Sequence, residues 1–273
     1  MDFLSIVGLV MGVGAIIASM TLDGGNVGAL LQFSAFVIVG GGTLAAVLVQ
    51  TPLSIFLRGL KMLLWIFLPP RDDRPDQLRQ ITDWLRIARH QFVLALDPVA
   101  EQQTDPFIRQ ALRLVVDGIE APQIRVVLET NIQTSAHEEM LGAEMYEAMG
   151  GYAPTVGILG AVMGLITVMS HLDDPSKLGE GIATAFVATV YGVGLANLFL
   201  LPVAAKLKFL VKRRVRRLEM ITEGMIGIAI LESPLQLEVR LRSFMEHGHA
   251  EDAGDRGAEE AEANPSPAAA AAD

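Results

Sequence analysis

The chain has 273 residues, 51% of them hydrophobic and only 19% charged, with a mean hydropathy of +0.42, which is too apolar for an ordinary soluble protein and excludes wholesale disorder. It has no cysteine, so a disulfide scaffold, a thiol nucleophile and a cysteine-ligated zinc or iron–sulfur site are excluded. The net charge of -10 resides largely in the tail: residues 250–273 hold seven acids and one Arg, and the mildly acidic remainder gives no support to nucleic-acid binding.

A bilayer core about 30 Å thick takes roughly 20 apolar residues of helix. Four uncharged runs meet that length: Phe3 to Leu22, Gly24 to Leu57, Ala148 to Ser170 and Gly181 to Ala205. The first opens with Asp2 instead of a basic segment and is soon followed by more apolar sequence, so it reads as a retained span and not as a signal peptide. The runs pair into two hairpins, turning at Asp23-Gly24-Gly25-Asn26 and at Asp173-Asp174-Pro175-Ser176-Lys177, with a long polar segment between them. Ten of the 21 Lys and Arg lie between Gln50 and Ala153, ten after Pro202, and only Lys177 in a turn. The positive-inside rule therefore puts both termini and the polar segment in the cytoplasm.

Between Pro52 and Pro69, the stretch Ser54 to Leu68 carries Arg58 and Lys61. It is too short and too charged to span and reads as an interfacial helix. After a charged, Pro-containing break at Arg71 to Arg74, helical patterns run over about Pro75 to Leu96, Pro106 to Val116 and Pro122 to Met149, each opened by a Pro suited to a helix N-terminus. Strand signals are absent. The expected fold is all-α: a polytopic membrane protein with four transmembrane helices and a helical cytoplasmic domain between spans two and three. Residues 1–51 form one hairpin (spans about 3–22 and 30–50), 52–149 the cytoplasmic domain with the interfacial helix at 54–68, and 150–203 the second hairpin (spans about 154–171 and 181–202). Cytoplasmic C-terminal helices come next at 204–248, then a disordered acidic tail at 249–273.

The four runs contain no Asp, Glu, Lys, Arg or His, so the chain brings no proton-carrying side chain of its own into the membrane. Small residues recur instead: Gly8 and Gly12, Gly40-Gly41-Gly42, Gly157, Gly160 and Gly164, Gly192 and Gly194. They allow close helix approach, within one subunit or against another chain. The hydroxyls and amide at Thr43, Thr167, Ser170, Thr184, Thr189 and Asn197 can each bond their own helix. Pro154 and Pro202, at the cytoplasmic ends of spans three and four, read either as a helix start and a kink or as hinges. The basic run Lys206 to Arg217 suits the inner leaflet. The histidines are scattered, and no serine elbow, phosphate loop or dinucleotide fingerprint occurs, so neither a metal site nor an enzyme is expected.

The words Gly150-Gly151-Tyr152-Ala153-Pro154-Thr155-Val156-Gly157 to Leu165, Ala185-Phe186-Val187-Ala188-Thr189-Val190-Tyr191-Gly192, Leu201-Pro202-Val203-Ala204 and Val39-Gly40-Gly41-Gly42-Thr43-Leu44 resemble spans of the MotA family, the A subunit of the bacterial flagellar stator. The resemblance runs from the first span to about residue 230. It implies a homo-oligomer of A subunits in the inner membrane around a single-span, peptidoglycan-binding MotB or PomB partner that carries the ion-binding aspartate, with cytoplasmic charges acting on the rotor protein FliG. On that resemblance Pro154 and Pro202 match mechanically important prolines, Thr189 an ion-path threonine, and Ala161 a position where alanine accompanies protons and threonine sodium. No cofactor is implied; H+ is the expected transported ion in preference to Na+. Arg89 and Asp97 match the family's rotor-facing Arg and Glu, with Asp in place of Glu and Phe92 where a glycine is usual. On one continuous helix those two charges would stand about 12 Å apart in rise and roughly 80° in rotation, with Pro98 leaving Asp97 near a helix end. The rival reading is an ExbB or TolQ-type energy-transducing subunit, a class that usually has three spans with its large cytoplasmic part after the first.

Overall fold

The computed structural model describes residues 3–22, 24–25, 27–70, 73–170 and 175–245. Asp23 and Asn26 of the first turn, Asp173 and Asp174 of the second, Arg71 and Asp72 of the charged break, and the tail with His247 and His249 lie outside the described residues. Everything ordered among the described residues is helical, and four helices are long and apolar enough to cross a membrane. The chain divides into two compact units, 1–70 with 136–211 and 71–135 with 212–273.

The first unit holds the spans. Span one is the helix Phe3–Leu22, closed by Gly24 in the left-handed region at φ 70°. Span two begins with a 3-10 turn, Val27–Leu30, and runs over 33–50 with a π turn at Val37–Gly41. The stretch expected to be an interfacial helix is helical, as Leu53–Met62 followed by Leu64–Phe67. Leu53, Leu57, Leu60 and Leu64 form an exposed stripe at helical spacing, while Gly59, Met62 and Ile66 are buried on the other side. That buried side packs on the long helix Ala121–Met169. A Cβ on Gly59 would lie 3.0 Å from the Gly142 carbonyl oxygen, the Tyr146 hydroxyl donates to Gly59 O at 3.1 Å, and Arg58 pairs with Glu138. These contacts group 52–70 and 136–149 in one compact unit with the spans.

The pattern expected to stop at Met149 does not stop. Ala121–Met169 is one helix of 49 residues with Pro154 inside it. A proline there removes one N–H and crowds the carbonyl four residues back. That carbonyl belongs to Gly150, beside Gly151, where no side chains stiffen the turn. The fourth span likewise runs on without a break: Pro175–Leu195, a π turn at Ala196–Leu200, then Leu201–Ala229.

The second unit is a helical bundle around Ile81, Leu85, Leu112, Ile124, Leu128, Met220, Ile221, Met225 and Ile228, all almost fully buried. Asp105 caps the helix Pro106–Val116 by accepting from Phe107 N at 2.9 Å, so the Pro start read from sequence is a capped one. Arg217 bridges Asp73 at 2.8 Å and Asp105 at 3.0 Å. Glu223, mostly buried, takes Arg125 at 2.5 Å and Arg240 at 3.5 Å, and Arg240 also holds Glu232 at 2.6 Å.

Candidate functional site

Spans three and four meet along a seam made of glycine and alanine. A Cβ added at Gly157 would fall 2.9 Å from Ala188 O and 3.1 Å from Gly192 Cα; at Gly160, 2.8 Å from Ala188 Cβ; at Gly164, 2.9 Å from Ala185 N. The order of the pairs is antiparallel, as a hairpin demands. Gly42 of span two meets Val156 as closely, at 2.8 Å. These glycines pack inside the subunit, whereas Gly8, Gly41 and Gly194 meet nothing within 4 Å.

The seam orients the candidate ion-path residues. Ala161 follows Gly160, and Thr189 follows Ala188, its partner across the seam. On two antiparallel right-handed helices, a step of 100° from facing positions turns both residues to the same flank. Ala161 and Thr189 therefore share one side of the hairpin at one level, and both are half-buried. The Thr189 hydroxyl donates to Ala185 O at 3.4 Å, a long bond that leaves its lone pairs open to that flank. The other weak polar groups are committed: Thr184 to Gln32 Oε1 at 3.1 Å, Asn197 to Val193 O at 3.0 Å, and Thr167 to Met163 O at 3.1 Å. Thr43 differs, being fully buried with no hydrogen-bond partner for its hydroxyl.

Neither proline starts a helix. Pro154 is interior, and Pro202 is the second residue after the π turn, in which Leu201 N–H reaches back five residues to Ala196 O. The wider turn accommodates the pyrrolidine ring that would otherwise press on the carbonyl of Leu198. Sequence reasoning placed a kink or hinge at Pro202 but could not name the π turn, because its hydrogen-bond pattern has no residue signature.

Arg89 and Asp97 are not on one helix. The expected run to Leu96 ends at Gln91; Phe92, at φ 64° and ψ 161°, turns the chain, and a 3-10 turn Val93–Leu96 leads into a new helix, Asp97–Gln102. Asp97 thus stands at a helix start, not an end, and Pro98 is its first-turn proline. Both side chains are exposed, and the Arg89 guanidinium donates to Glu232 O at 2.9 Å. A positive φ explains why glycine suits position 92.

Residues 6–90 match the description "Motility protein A N-terminal", and residues 99–220 match the "MotA/TolQ/ExbB proton channel family". Motility protein A of Bacillus subtilis is 31% identical over 246 residues, covering 90% of this chain and 91% of its own length. The chain belongs to the MotA/TolQ/ExbB proton channel family. Motility protein A of Helicobacter pylori is also 31% identical, over 91% of this chain and 96% of its own, and Chemotaxis protein PomA of Vibrio alginolyticus is 28% identical over 91% and 97%. Among solved structures, MotAB of C. jejuni matches with a TM-score of 0.84 at 31% identity, over 89% of this chain and 96% of that one. The flagellar MotAB stator complex of Bacillus subtilis matches with 0.78 at 30%, over 86% and 93%. This family member is a multi-pass membrane protein with a flagellar stator function.

Proposed function

We propose that the chain is the A subunit of a proton-driven flagellar stator. It works as a homo-oligomer in the bacterial inner membrane with both termini in the cytoplasm, around a MotB-type single-span, peptidoglycan-binding subunit, and it turns proton flow into torque on FliG. The observation that carries this is the pairing of four spans free of ionisable side chains with whole-chain likeness to MotAB stators. A channel wall without a carboxylate needs one from a partner. The shared flank of Ala161 and Thr189 supports an ion path there, and alanine, offering no side-chain oxygen, supports protons over sodium. Pro154 and Pro202, inside continuous helices, are the hinges in this reading, and exposed Arg89 and Asp97 supply the rotor-facing charges. The match over residues 6–90 and two spans before the polar segment favour the stator over an ExbB or TolQ-type role.

The test is a deletion strain lacking other stators, complemented with this gene with and without that of its B-type partner. Swimming that needs both genes, survives sodium removal and collapses with a protonophore is the expected result. Rotation without the partner, or rotation that depends on sodium, overturns the corresponding half of the proposal.

A further inference from the structure

Between span one, the short helix Leu64–Phe67 and the π turn Ala196–Leu200 lies a cavity of about 310 Å³. Its walls are mainly apolar, with Leu9, Ile66, Leu198, Phe199 and Val203 around Gly8, and Asn197 is the polar residue among them besides Ser5 and Lys206. At one end Lys206 donates to the Ser5 hydroxyl. We propose that this cavity holds one acyl chain of an anionic phospholipid, with the headgroup phosphate against Lys206 and Ser5. The lipid acts as a structural ligand, tying span one to the π turn.

Place and charge converge on that occupant. A flexible methylene chain can follow the apolar walls between these elements. In the stator reading, the elements around the cavity stand at the inner-leaflet boundary. The helix leading into Leu64–Phe67 shows the leucine stripe of an interfacial helix, and Lys206 opens the basic run that continues through Lys212 and Arg213. Anionic headgroups collect against such a run, and the phosphate complements the ammonium at the cavity's mouth. Span one packs on Leu64–Phe67 and on the π turn, the same two elements that wall the cavity. An acyl chain there supplies dispersion contacts that an empty apolar gap would forfeit.

The inference goes beyond the stator reading and needs only the spans and their orientation; its readout is lipid contact, not motility. The full chain, co-purified with its partner, is placed in nanodiscs of phosphatidylcholine containing a small fraction of phosphatidylglycerol with a photoreactive acyl chain. Labelled peptides are then mapped by mass spectrometry. Label is expected to concentrate on 5–9, 64–68 and 197–206, with unlabelled phosphatidylglycerol displacing it about fivefold better than phosphatidylcholine, the ratio given by one basic side chain near the surface. Gly8→Leu, at a position where an added Cβ meets nothing within 4 Å, fills the cavity and removes the label. Lys206→Met keeps the label but equalises the two competitors. Label spread evenly along all lipid-facing helices, or unchanged by both variants, overturns the proposal. So do crosslinks from a photoreactive residue at Leu9 to a second copy, with no lipid label.

Discussion

Phe92 offers a test in which the sign of an effect is decided by one dihedral angle. At φ 64° and ψ 161° it occupies a region open essentially to glycine alone, at a cost of about 1–3 kcal/mol for any other residue. The ring is 80% exposed, so packing returns little of that cost. Comparing Phe92→Gly with Phe92→Ala cancels the loss of the ring, which both variants share, and isolates the backbone. At an ordinary site glycine is less stable than alanine by about 0.5–1 kcal/mol, through its larger unfolded-state entropy. Here strain relief outweighs that term, and the glycine variant should be the more stable by about 0.5–2 kcal/mol, a shift of a few degrees in Tm. Thermal melting of the detergent-solubilised chain with its partner, monitored by far-ultraviolet circular dichroism, measures the difference. An alanine variant as stable as the glycine variant, or more so, would refute the positive φ and the chain break between Arg89 and Asp97.

The contacts set three further outcomes. Gly192→Ala puts a methyl group 2.5 Å from Ala153 O and should lower the melting point through about 1–3 kcal/mol of overpacking, while Gly194→Ala, which meets nothing within 4 Å, should stay near wild type. Arg89→Glu forfeits one hydrogen bond to Glu232 O, worth about 0.5–1.5 kcal/mol, so membrane levels on immunoblots should hold while torque in a tethered-cell assay falls. A reversed charge on FliG should restore part of that torque; loss of the protein from the membrane would instead assign Arg89 a structural role. Glu223 holds the Arg125 guanidinium above its ordinary pKa, mainly through their hydrogen bond, and also meets Arg240. Glu223→Gln should destabilise the second unit by about 1–3 kcal/mol, read by limited proteolysis between 71 and 135; unchanged protection would count against the network.

The four long apolar helices and the separate helix at 54–68 were legible because they rest on run length and on where charge interrupts it, quantities that sequence displays directly. Arg58 and Lys61 set 54–68 apart from the four uncharged runs. The break at Phe92 was not legible, because the residue that usually announces a positive φ is missing and the apolar pattern continues through Val93 to Leu96. The pattern expected to end at Met149 runs on into the third span, because the bareness of Gly150-Gly151 makes room for Pro154 in an unbroken helix. Which glycines face the seam depends on the rotation of each helix about its own axis, and a uniformly apolar run leaves that angle undetermined. Gly192 and Gly194 differ in this respect only, and one lies against backbone while the other meets open space.

With its helix lying in the leaflet surface, as the proposed topology has it, the leucine stripe of Leu53, Leu57, Leu60 and Leu64 would work as a float. Its helix is pinned to the long third-span helix through Gly59 on Gly142 and through Arg58 on Glu138. Pushing the subunit deeper would drag Arg58 and Lys61 toward hydrocarbon, and lifting it would wet four leucines, so displacement along the bilayer normal is opposed in both directions. Movement within the plane of the leaflet meets neither penalty. In that placement a piston stroke is opposed, and rotation about the bilayer normal is left as the soft degree of freedom.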